Sequence, residues 1–199
     1  MERLEHIRSV ALPITAINCD TDQILPGQYL QKPRSANFGN FLFRARRFHD
    51  DGSEVEDFIL NKAPYRASRI VVGNRNFGCG SSREHAVWAL YDYGIRVAIA
   101  PSFGDIFFTN CLKNGLLPIV LPLDSVLGTL DLLVKSPGAE VAVDLRDQTV
   151  ELPDGTRHGF EVDAFAKKCL LEGMDELDYT LAQTAAIDRF ERDGAAGIV

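Results

Sequence analysis

Ile70-Val71-Val72-Gly73-Asn74-Arg75-Asn76-Phe77-Gly78-Cys79-Gly80-Ser81-Ser82-Arg83-Glu84-His85 opens the most regular part of the chain. A β-branched apolar run reads as a strand, the glycine-rich segment as a loop, and the residues after it as a helix over Ser82–Tyr93 that stops at Gly94. Within that helix Ala86, Val87, Leu90 and Tyr91 share one face suited to packing on a sheet. The alternation repeats: strand Arg96–Ile99, helix from Ser102 to about Lys113, a stop at Gly115, and strand Leu117–Leu121. Strands and helices in this order predict right-handed βαβ crossovers and a small parallel sheet of the α/β class. Ligands in such sheets bind beyond the carboxyl ends of the strands, where the Gly78–Arg83 loop falls.

That loop has the composition of an anion site. Gly78 and Gly80 allow tight turns and close backbone approach. Free N–H groups and the positive end of the following helix favour a carboxylate or phosphate, and hydroxyls and one guanidinium add directional contacts. The plainer alternative is that the glycines turn the chain, Ser81 and Glu84 form a capping box, and Ser82 and Arg83 are solvated. The loop is neither a Walker A sequence nor a GxGxxG fingerprint, nor a GxSxG nucleophile elbow.

Upstream, from about Ser9 to Leu60, short apolar runs broken by polar turns predict a loop-rich segment, including Asp20-Thr21-Asp22-Gln23-Ile24-Leu25-Pro26-Gly27 and the basic Arg44-Ala45-Arg46-Arg47. Downstream, Val141, Val143 and Leu145 alternate, Thr149–Leu152 comes next, and Pro153-Asp154-Gly155 turns the chain toward Phe160–Val162, a hairpin or meander. Two helices are expected, Ala164–Leu171 and Thr180–Arg192, separated by Gly173, and the tail from Gly194 is expected to fray. The expectation is one domain over residues 1–199, with residues 139–199 as a C-terminal elaboration.

With 199 residues and 46% apolar content, the chain can bury its own core. Cys19, Cys79, Cys111 and Cys169 form no CxxC pair, so neither a local zinc knuckle nor an iron–sulfur signature is present, and reduced thiols in a cytosol are expected. No apolar stretch reaches the roughly 20 residues that span a bilayer, and the N-terminus lacks signal-peptide character. A formal charge of −7 disfavours nucleic acid as a partner.

Asn76–Ala86, Asp20–Pro26 and Ala100-Pro101-Ser102-Phe103-Gly104-Asp105-Ile106-Phe107 together resemble the small, swivelling subunits of 3-isopropylmalate dehydratases in the aconitase superfamily, from about Val10 to Phe190. The resemblance implies a β/β/α swivel domain, with a small parallel sheet flanked by helices and a C-terminal hairpin and helices. It implies a larger partner subunit, in a heterodimer or heterotetramer, that carries a [4Fe–4S] cluster, with no metal held by this chain and a small hydroxydicarboxylate as substrate. By the match, Ser81 is the base that removes a proton alpha to a carboxylate, and Asp22 lies near the leaving hydroxyl. Ser82, Arg83 and Thr21 bind substrate, while Gly78, Gly80, Glu84 and His85 support the loop, His85 through a hydrogen bond. A second arginine for the far carboxylate is sought among Arg34, Arg44, Arg46 and Arg47, of which Arg47, followed by Phe48, aligns best.

The implied activity is interconversion of 2- and 3-isopropylmalate in leucine biosynthesis. A sister hydro-lyase acting on homoaconitate, citraconate, maleate or a substituted malate, and a non-catalytic carboxylate- or phosphate-binding module, are the alternatives. Ser35 stands where the leucine enzymes commonly carry an arginine, with Arg34 one position earlier. Cys79 beside the loop reads as a small space-filling thiol, and Cys111 and Cys169 as core. Phe103, Ile106 and Phe107 read as a packing stripe with a share in the subunit contact, and Asp105 as cap partner of Ser102.

Overall fold

The computed structural model describes residues 1–34 and 38–195. Ser35 and the part of the tail beyond Ala195 lie outside the described residues. Among the described residues seven strands, β1 His6–Ile14, β2 Ile70–Gly73, β3 Val97–Ala100, β4 Leu117–Val120, β5 Glu140–Asp144, β6 Thr149–Glu151 and β7 Arg157–Gly159, form one sheet in the order β4-β3-β2-β1-β5-β6-β7. The helices are α1 Thr21–Ile24, α2 Arg44–Arg47, α3 Glu84–Tyr93, α4 Asp105–Lys113, α5 Leu123–Lys135, α6 Ala164–Glu172, α7 Glu176–Ala182 and α8 Thr184–Ala195.

The predicted βαβαβ unit is present as β2-α3-β3-α4-β4, with all three strands parallel. Its sheet is larger than expected because β1, in the segment expected to be mostly loop, joins it to the C-terminal strands. Ala11–Ile14 pair in parallel with Ile70–Gly73, while His6–Val10 pair antiparallel with β5. The burial of β1 follows the two environments: Ile7 is buried between exposed His6 and Arg8, and from Ala11 to Ile14 every side chain is buried. Pro13 is tolerated because Ala11 N–H donates to Ala139, so the N–H direction two residues on faces the side where β5 has ended.

Alternate strand residues build two cores. Ile70, Val72, Val97, Ile99, Leu117 and Ile119 pack with Val126, Leu130 and Leu133 of α5. Leu12, Val71, Ala98 and Ala100 face Ala86, Val87 and Leu90 of α3 and Phe107 of α4. Helix α5 is absent from the sequence-based reading, as is the split of the last helix into α7 and α8. Strand β7 runs over Arg157–Gly159 rather than Phe160–Val162, and Phe160 is buried in the core instead. Among the described residues no helix is long and apolar enough to cross a membrane.

Candidate active site at the carboxyl edge of the sheet

The loops that leave β1, β2 and β3 remain side by side beyond the sheet. Gly78 N–H donates to Cys19 O at 2.7 Å and Thr21 N–H to Cys79 O at 2.9 Å, joining the first two loops. Phe77 N–H donates to Ser102 O and Gly104 N–H to Phe77 O, both at 3.0 Å, joining the third. The close approach needs glycine. A Cβ on Gly78, at φ +71°, would lie 2.2 Å from the Phe107 ring, and one on Gly104 would lie 2.7 Å from Gly78 O.

Ser81 is exposed and faces a cavity of about 170 Å³ whose other walls are Gly78, Gly80, Gly104 and the first turn of α4 at Asp105, Ile106 and Phe107. Its carbonyl accepts a hydrogen bond from Thr21 Oγ at 2.9 Å, and Thr21 is buried. The neighbouring Asp22 accepts from Gly27 N–H at 2.9 Å and pairs through the same Oδ1 with Arg83. The Arg83 guanidinium holds the Asp22 carboxyl below the usual carboxylate range. The structure thus brings Thr21, Asp22, Ser81 and Arg83 together, with exposed Ser82 between the last two. Arg83 turns to Asp22 and Gly27 rather than lining the Ser81 cavity.

Several expected contacts take another form. No capping box closes α3: Arg83 is its N-cap and makes no side-chain cap bond, and Glu84 accepts from Asn114 Nδ2 at 2.8 Å. Ser102 does not cap α4 either, because its hydroxyl accepts from Asn76 N–H at 2.9 Å and Gly104 is the N-cap. His85 packs its ring on Trp88, 4.4 Å between centroids, and the Trp88 indole donates to Asn114. Asn114, just past the far end of α4, thus bridges Glu84 and Trp88, and the contact His85 makes is aromatic packing rather than the expected hydrogen bond. Of the Phe103, Ile106 and Phe107 stripe, Phe107 is buried and Ile106 is exposed.

Arg47, the best-aligned arginine, points away from this arc. It is buried, donating to Asn61 Oδ1 at 3.2 Å and Leu42 O at 3.4 Å, because its one-turn helix α2 packs that face inward. Arg34 makes a two-pronged pair with Asp92, and Arg44 lies over the Phe48 ring. Arg46 reaches the Asp22 loop, donating to Gln23 Oε1 at 3.4 Å. In the sequence Arg46 is one of four candidate arginines and Ile106 belongs to the expected packing stripe, while the parts played by Gly27 and Gln23 are not visible. Only Pro26-Gly27, as a turn signal, offered a hint.

The four cysteines are free. Burial pushes the Cys19 thiol up to about 12, and raises Cys79, Cys111 and Cys169 as well. Among the described residues no three or more His, Cys, Asp or Glu side chains gather as a metal site. Protonated, dispersed thiols do not fit an iron–sulfur cluster.

The aconitase C-terminal domain model matches residues 1–124, and the LeuD_N model matches residues 130–164. The 3-isopropylmalate dehydratase small subunit of Dinoroseobacter shibae is 48% identical over 196 residues, covering 98% of each chain. That of Rhodospirillum rubrum is 50% identical over 195 residues, covering 98% of this chain and 94% of the relative. A crystal structure of 3-isopropylmalate dehydratase from Methanocaldococcus jannaschii superimposes with a TM-score of 0.68 over 92% of this chain and 98% of that one, at 24% identity, and shares the fold. Near-full-length identity of this order leaves one assignment: the chain belongs to the family of 3-isopropylmalate dehydratase small subunits, in the aconitase superfamily.

Proposed function

We propose that this chain is the small subunit of a cytoplasmic, heteromeric hydro-lyase that interconverts 2- and 3-isopropylmalate by dehydration and rehydration. The observation that carries the reading is the double link between the loops after β1 and β2: Thr21 to the Ser81 carbonyl, and Asp22 to Arg83. Four residues expected at the site share one arc at the carboxyl edge of parallel strands, where such sheets bind ligands.

In this reading the exposed Ser81 hydroxyl takes the proton from the carbon alpha to a carboxylate. Arg83 receives that carboxylate through its planar fork, and Ser82 adds a hydrogen bond. Asp22 stands near the departing hydroxyl, and Thr21 fixes the Ser81 backbone so that the hydroxyl keeps its aim. Arg46 replaces Arg47 as our choice for the far carboxylate, since Arg47 is buried and turns its Nε and Nη1 to Asn61 and Leu42. A [4Fe–4S] cluster belongs to the larger partner. The apolar side chains of Ile17 and Ile106, 56% and 55% exposed beside the loops, suit the face on which that partner closes the site. All of residues 1–199 are taken as one swivel domain, because β1 serves both halves of the sheet.

Ser81→Ala in the assembled two-subunit enzyme tests the assignment. Turnover is expected to fall by about 10²–10⁴-fold, the range for loss of a general base, with co-elution of the subunits unchanged. Normal turnover in this variant would remove Ser81 from the mechanism.

A further inference from the structure

The clamp arginine already holds a carboxylate, supplied by the chain itself. Asp22 Oδ1 takes both the Arg83 guanidinium and the Gly27 N–H, the latter at 2.9 Å. The two partners are unequally fixed: the Arg83 side chain is 20% exposed and the Asp22 side chain 61%. Its neighbours are otherwise engaged, Asp20 in capping α1 through Gln23 N–H and Thr21 in holding Ser81. Gly27 covers one side of the pair without crowding it. A Cβ built on Gly27 would make only ordinary contact, 3.5 Å from Asp22 Oδ1 and 3.8 Å from both terminal nitrogens of Arg83.

We propose that Asp22 is an internal stand-in that occupies Arg83 until a carboxylate of the hydroxydiacid exchanges for it, and that the exchange releases Asp22 toward the reacting centre. The inference rests on Arg83 being the carboxylate clamp. Exchange replaces one carboxylate by another at the same guanidinium, so the charge balance around Arg83 is preserved. An ion pair whose acid is mostly in water is weak, and the displaced carboxylate is readily resolvated. Asp22 is then a positioning residue for Arg83 in the free enzyme and arrives at the reaction only when substrate is bound.

Calorimetric binding of isopropylsuccinate, a diacid lacking the leaving hydroxyl, to the assembled two-subunit enzyme tests the exchange. Asp22→Asn keeps an acceptor for Gly27 N–H but removes the competing charge, and it is expected to bind the probe about threefold to tenfold more tightly than the wild type. Arg83→Ala is expected to bind it roughly tenfold more weakly. If Asp22→Asn binds equally or more weakly while Arg83→Ala still loses affinity, Asp22 is a permanent partner and the exchange is wrong. If Arg83→Ala binds normally, the clamp itself is wrong and the exchange falls with it. Asp22→Ser provides the same comparison should the asparagine variant fold poorly.

Discussion

Gly78 meets two demands that no other residue satisfies. Its φ of +71° lies in the left-handed region, and a Cβ there would enter the Phe107 ring at 2.2 Å. Gly78→Ala is expected to cost about 2–5 kcal/mol, the sum of left-handed strain and overpacking, read as a lowered denaturant midpoint of the isolated chain. Retention of the wild-type midpoint would mean that the loop moves off α4 at little cost. The sequence signalled a turn at Gly78 but not the aromatic ring beneath it, because Phe107 lies 29 positions on and is brought there by β3 and α4. Ser81 and Arg83 were legible as a hydroxyl and a cation in one loop. The pairing of Arg83 with an acid was not, since that acid, Asp22, comes from the loop after β1.

Helix ends show where local spacing suffices and where it misleads. Ser81 and Glu84 have capping-box spacing, yet the helix starts at Glu84 and that carboxylate is taken by Asn114. A tertiary partner outcompeted the local one. Helix α6 is the opposite case. Asp163 accepts from both Phe165 N–H and Ala166 N–H at 2.9 Å, and Gly173 ends the helix at φ +71°. Both ends of α6 are therefore specified within the segment, and its predicted span over Ala164–Leu171 differs from the observed one by a single residue. Asp163→Ala is expected to lower stability by about 1 kcal/mol, measured by chemical denaturation, and Asp163→Ser to recover most of it. An unchanged midpoint for the alanine variant would show that packing of Cys169 and Leu170, rather than the cap, holds α6. The missed α5 lacks such a cap: Pro122 precedes it with no side-chain bond, and its stability comes from Val126, Leu130 and Leu133 against the sheet.

The molecule as a whole buries neutral thiols, and that gives its stability a direction in alkali. Burial raises Cys19 from 9.0 to about 12, so the folded state keeps a proton that the unfolded chain gives up earlier. The contribution is complete below pH 9.0 and is lost as pH rises toward 12, so the thermal midpoint is expected to fall across that window. Cys19→Ala is expected to make the fall shallower, measured by circular dichroism melts across the same range. An identical slope in the variant would assign the alkaline loss to other groups.

One sheet, rather than a parallel unit with an appended hairpin, is the other property of the whole. Linear pattern alone was enough for the class, for the βαβ succession from Ile70 to Val120 and for a glycine-rich loop at its carboxyl edge, because periodicity and turn chemistry act over a few residues. The pairing of β1 with both β2 and β5, the burial of Arg47 and the capture of Arg83 by Asp22 arise between segments 14 to 138 positions apart. Such contacts form only when folding closes those loops, so no local pattern in the chain records them.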